Sequence, residues 1–134
     1  MAGPAAPPRD ATFALELPAE PPFLASARVF AAVIARQAGC AEAVVDDVKL
    51  AVSEAWASLV GREPVGSIRV GVVRAGGRLR IELGRVGGPS APPGASTGQP
   101  WPEGIELVRL LFEDVEVLED GRGALVRFSV PLDR

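Results

Sequence analysis

Two neighbouring stretches carry apolar residues at every second position, and they set the terms for the whole chain. Ile68, Val70 and Val72 alternate with Arg69 and Gly71; Leu79, Ile81 and Leu83 alternate with Arg78, Arg80 and Glu82. A period of two is the mark of a strand, and the Ala75-Gly76-Gly77 link between the runs predicts a β-hairpin. One side of that hairpin is oily and the other polar, as in an antiparallel sheet packed on one face and wet on the other. A two-stranded hairpin is marginal alone. The rest of the chain must therefore supply further strands and a cover for the oily face.

The remaining segments read accordingly. Thr12 to Leu17 alternates, with Phe13, Leu15 and Leu17 on one side, and predicts a first strand ended by Pro18. Pro22 suits the first turn of a helix. Phe23, Ala27, Phe30, Ile34 and Ala38 follow at helical spacing and Gly39 stops them. A second helix is expected from about Ala41 to Val60, with a core stripe of Val44, Val48, Val52, Ala55 and Leu59; Asp47, Ala51, Glu54 and Ser58 line a different face. From Arg85 to Gly104 the chain is rich in Gly, Pro, Ser and Thr, with Trp101 its only large apolar anchor; long loops of this kind are lids or disordered segments. A short helix, Ile105 to Phe112, should bury Leu107, Val108, Leu110 and Leu111. A last hairpin begins at Val115 and Val117, turns at Asp120-Gly121-Arg122-Gly123, and returns through Ala124, Val126, Phe128 and Val130.

Five strands and three helices in this order predict an α+β two-layer sandwich: one mixed, mostly antiparallel five-stranded sheet with three helices on one face. The 134 residues suit a single domain. Residues 1–10 are expected to be a disordered Ala/Pro-rich arm, and 11–134 the domain, with a lid at about 85–104.

Composition removes several functions. The chain has no His, so it has no His base or ligand. One cysteine, Cys40, rules out an internal disulfide and a Cys-rich zinc site, and reads as a structural thiol. Lys49 is the only lysine, and no phosphate-cradling G-x-x-x-x-G-K-[ST] loop exists. A net charge of −3 argues against a surface that coats nucleic acid. Arg69, Arg74, Arg78, Arg80 and Arg85 nonetheless cluster on or beside the first hairpin, where they are expected to solvate the open face of the sheet. The sequence has no apolar run long enough to span a bilayer and no apolar signal core, so a cytoplasmic protein without membrane contact is expected.

The segment Asp47-Val48-Lys49-Leu50-Ala51-Val52-Ser53-Glu54-Ala55-Trp56-Ala57-Ser58 resembles the nucleotide-binding helix of the anti-sigma-factor serine kinases, a branch of the ATPase fold shared by gyrase and histidine kinases. The likeness covers about Thr12 to Val130 in element order. In that family the helix carries a Glu and, one turn later, a metal-holding Asn. Glu54 matches the first, and Ser58 stands in place of the second. The family's D-x-G after the hairpin, whose Asp accepts a hydrogen bond from adenine, falls here on Arg85 and Gly87. Arginine has donors only, and losing the adenine contact costs about 1–3 kcal/mol. The Gly-x-Gly that lets backbone approach the phosphates becomes Gly104-Ile105-Glu106, which puts a carboxylate where a triphosphate would lie. Between Asp47 and Asp114 the chain has no aspartate, so no small shift of alignment restores the adenine ligand.

The resemblance therefore implies a regulatory protein that binds a sigma factor or an anti-sigma antagonist. Glu54 is then a vestigial catalytic position, and Ser58, Arg85, Gly87, Gly104 and Glu106 are degenerate pocket positions, with no metal and no cofactor expected. Arg85 and Glu106 are expected to pair across the empty pocket. Two readings stay open: an active serine kinase that uses Mg-ATP to phosphorylate an antagonist, and a pocket remodelled for another small ligand. The first strand is a candidate homodimer edge, as in similar anti-sigma proteins, or a plain sheet edge.

Overall fold

The computed structural model describes residues 10–60, 66–86, 103–120 and 123–132. The expected arm up to residue 9, most of the lid with Trp101, and the tip of the last turn lie outside the described residues. β1 (Ala11–Pro18) is followed by a 3-10 turn (Pro21–Phe23) and then α1 (Leu24–Gln37), so the two prolines form a turn of their own ahead of the helix. Then come α2 (Glu42–Val60), β2 (Ser67–Ala75), β3 (Arg78–Val86), α3 (Glu103–Leu111), β4 (Val115–Asp120) and β5 (Gly123–Pro131).

The strands form one five-stranded sheet in the order β1-β2-β3-β5-β4. Every pairing among the described residues is antiparallel, which resolves the expected mixed sheet to a purely antiparallel one. Gly76 and Gly77 take φ of 58° and 74°, the left-handed region that a tight hairpin turn needs and that glycine enters without strain. Registers align the oily residues across strands: Leu17 faces Ile68, Val70 faces Leu83, Ile81 faces Phe128, and Val117 faces Val126. Phe128 also stacks on Phe112 with ring centroids 4.8 Å apart.

Over that face lies the helix layer, with α2 packed against α1, α3, β3 and β5. Its central place explains a departure from the expected stripe. Ala51 and Ser58 are buried with Val45, Val48, Val52, Ala55, Trp56 and Leu59, while Val44 is only half-buried. A helix flanked by two others needs a broad apolar arc rather than one narrow stripe. On α1 the buried side chains are mostly small (Ala27, Ala31, Ala32 and Ala35 with Ile34), which lets it lie close to α2, while Phe30 is half-buried. Leu110, expected inside, is 84% exposed; α3 packs through Ile105 and Val108 instead. Cys40 is half-buried, just beyond α1.

The opposite face of the sheet has no helix over it among the described residues. Arg127 there bonds Glu82 at 3.0 Å and Glu116 at 3.3 Å. Partial burial works against the guanidinium charge, but the two carboxylates outweigh it and hold the Arg127 pKa above its ordinary value. Arg78 joins Asp114 at 2.7 Å. The arginine cluster is thus split between ion pairs, open surface, and, for Arg74 and Arg85, the helix side.

Candidate functional site

Antiparallel topology brings three segments to one end of the sandwich. Ser67 faces Val86, so β2 begins where β3 ends. α2 finishes at Val60, a short link from β2, and α3 begins after the long segment that leaves β3. The second half of α2, the end of β3 and the first turn of α3 are therefore neighbours, and with them Glu54, Ser58, Arg85, Gly104 and Glu106. Gly87 lies outside the described residues.

Glu54 is half-buried, and its side chain lies directly against Gly104. A Cβ built on Gly104 would come 2.5 Å from Glu54 Oε1, 3.3 Å from its Cδ and 3.4 Å from its Cβ. Glycine at 104 is what permits this approach. The carboxylate sits at the positive N-terminal end of α3, where Glu103 and Glu106 add two more acids in the first turn. A helix start of this kind attracts phosphate when it is vacant; here the carboxyl groups of the chain occupy that field.

Ser58 is 1% exposed and its hydroxyl donates to the Glu54 carbonyl oxygen at 2.8 Å. That local bond is common for serine within a helix, and it commits the buried hydroxyl to the helix's own backbone. Ser58, expected on a face apart from the core stripe, is buried together with that stripe. Arg85 stands cross-strand from Ile68, which puts it on the helix-covered side of the sheet; it is half-buried, with Nε inside. Glu106 is exposed and bonds Arg109 at 2.9 Å, one turn along α3. The expected Arg85–Glu106 pair is thereby corrected: a partner three residues away on the same helix is nearer than one across the layer. Among the described residues no cluster of His, Cys, Asp or Glu is placed to hold a metal ion.

The match that decides the family runs from residue 17 to residue 130, nearly the whole sandwich, and is to the histidine kinase-like ATPase domain. This chain belongs to that family. Among solved structures, the RsbU and RsbW domains of Rv1364c from Mycobacterium tuberculosis share the fold, with a TM-score of 0.71 and 18% identity over 92% of this chain. This chain spans 33% of that protein. No curated protein matches the chain. By its resemblance to the anti-sigma serine kinases, the chain is expected to carry any nucleotide site between the second helix, the end of the hairpin and the helix after the lid. In this member Glu54 and Gly104 touch across that space.

Apart from the segments expected from the sequence, the structure has a second candidate surface. On the open face, Gly71 and Gly84 leave a recess of about 190 Å³. Its signal was present in the sequence, as glycines inside alternating runs. Only the register shows that they adjoin.

Proposed function

We propose that this chain is a regulatory member of the histidine kinase-like ATPase family that works by holding another protein, with nucleotide binding weakened or lost. The observation that carries the reading is the contact of Glu54 with Gly104. A triphosphate seated at the start of α3 would have to displace that carboxylate and then lie beside Glu103 and Glu106. Ser58 adds to this, because a buried hydroxyl committed to a carbonyl makes a poor magnesium ligand. So does Arg85, which offers adenine donors where it needs an acceptor. Its partners, by likeness to the RsbU/RsbW type of domain, are a sigma factor or the antagonist of an anti-sigma factor. β1, which pairs only with β2 among the described strands, is the edge through which two copies would join.

Calorimetric titration with ATP and ADP, with and without Mg²⁺ and up to millimolar nucleotide, tests the proposal. The expected result is no heat and no thermal shift. Micromolar binding would sink it and favour the second reading, an Mg-ATP-dependent serine kinase, for which family membership and the retained Glu54 speak. A different small ligand copurifying beside Arg85 would favour the remodelled pocket.

A further inference from the structure

Glycine weakens a strand, and inside one it marks a bulge, a tight bend or the close approach of another group. Gly71 in β2 and Gly84 in β3 are neither of the first two. The registers of β1 on β2, β2 on β3 and β3 on β5 run through both residues without a break, and neither takes a positive φ. Close approach is what is left. At Gly84 a Cβ would meet Leu125 Cδ1 at 3.3 Å, so Leu125 leans over that position. At Gly71 the only described atom within 4 Å would be the Phe13 carbonyl oxygen, at 4.0 Å. The space above Gly71 is used by no described side chain.

Charge around the recess is uneven. Glu82 on its wall is already committed to Arg127. Arg69, which also lines it, and Arg80, on the same open face, are exposed and make no ion pair among the described residues. Glu16, cross-strand from Arg69, is not within ion-pair distance. In an acidic chain, this strip of sheet offers two unsatisfied guanidinium groups. Arg80 lies level with Val73, so along the strand direction the two arginines are four residues apart, about 13 Å at ordinary strand rise, with Gly71 midway.

We propose that the open face of β2 and β3 docks an extended, acidic segment of a partner protein. Its pattern is acid-x-apolar-x-acid: alternate side chains point the same way in an extended chain, so carboxylates meet Arg69 and Arg80 while the apolar residue between them fills the space over Gly71. The inference deepens the reading of this chain as a protein-binding module by naming the surface and the chemistry of its partner.

The test uses the full ¹⁵N-labelled chain and a synthetic peptide of sequence Gly-Glu-Ser-Leu-Ser-Glu-Gly. The expected result is amide shifts centred on Gly71 and Gly84. Binding should weaken by about tenfold or more in Arg69→Glu and in Gly71→Val. Gly71→Val fills the recess with a better strand former, so it should melt no lower than the parent, which separates lost docking from lost fold. A peptide with lysine in place of glutamate should shift nothing. Shifts confined to the helices, an unchanged affinity in Gly71→Val, or a response to a single-stranded oligonucleotide in place of the peptide would each overturn the proposal. Titration with ATP runs beside it. A chain silent to both ligands loses the docking surface alone; a chain that binds both loses the nucleotide-free reading alone.

Discussion

Gly104 and Gly71 belong to regions built on opposite principles. Beside Gly104 the missing side chain is replaced by Glu54, and α2 and α3 meet there. Above Gly71 the missing side chain is replaced by nothing in the described chain, and two arginines stand free on either side. One glycine brings parts of the molecule together; the other leaves room. The comparison teaches that the same missing side chain can serve close packing or leave a surface recess, according to what the neighbouring element brings to it.

The contrast between covered and open faces can be broken most directly at β5. Phe128, fully buried, should cost about 3–5 kcal/mol when cut to alanine. Its near neighbour Leu125, on the other face, should cost less than about 1 kcal/mol. Equal losses in denaturant titration would mean that the open face is packed in solution. Next in size are the two glycines themselves. Gly104→Ala should destabilise by about 1 kcal/mol, overpacking against Glu54 outweighing the helix preference of alanine, whereas Gly71→Ala should be neutral or add up to about 1 kcal/mol. Combining Gly104→Ala with Glu54→Ala should recover most of the loss, and a strictly additive double-mutant cycle would remove the interlock. The smallest effect is expected far from both regions. Arg36, hydrogen-bonded to Glu42 at 2.9 Å between α1 and α2, holds that carboxyl below its ordinary pKa. A depressed carboxylate stabilises the fold above its unfolded pKa and stops doing so as pH falls through the folded one. The difference in melting temperature between the parent and Glu42→Gln should thus be small and positive at neutral pH and vanish in acid. A difference that grows in acid would reverse the assignment.

Much of this architecture was legible in the sequence. Alternation in Ile68–Val72 and Leu79–Leu83 fixed both strands and their faces, because a period of two leaves only one register that buries every apolar residue. The motif around Glu54 pointed to the histidine kinase-like ATPase family, which the match over residues 17–130 shows. What sequence could not resolve was set by neighbours. Ser58 has the polarity of a surface residue, yet α2 lies between two helices and on the sheet, and the Ser58 hydroxyl is satisfied by the helix's own backbone. Leu110 has the polarity of a core residue, yet the turn of α3 points it outward. Glu106 chose the arginine one turn away over the one across the layer because helix geometry delivers that partner without folding anything else.

The edge position of β1 has a consequence for how the chain comes off the ribosome. Pro18 faces Ser67, so β1 has its only sheet partner among the described strands separated from it by two helices of sequence. At about 5–20 residues per second of synthesis, the 49 residues from Pro18 to Ser67 impose a wait of roughly 2–10 s. During that interval the row of Phe13, Leu15 and Leu17 has emerged with nothing to cover it except α1 and α2. The β2–β3 hairpin closes locally and can form at once. β1 is therefore expected to be the last element of its half of the sheet to lock in place, and its amide protons the first to exchange with solvent.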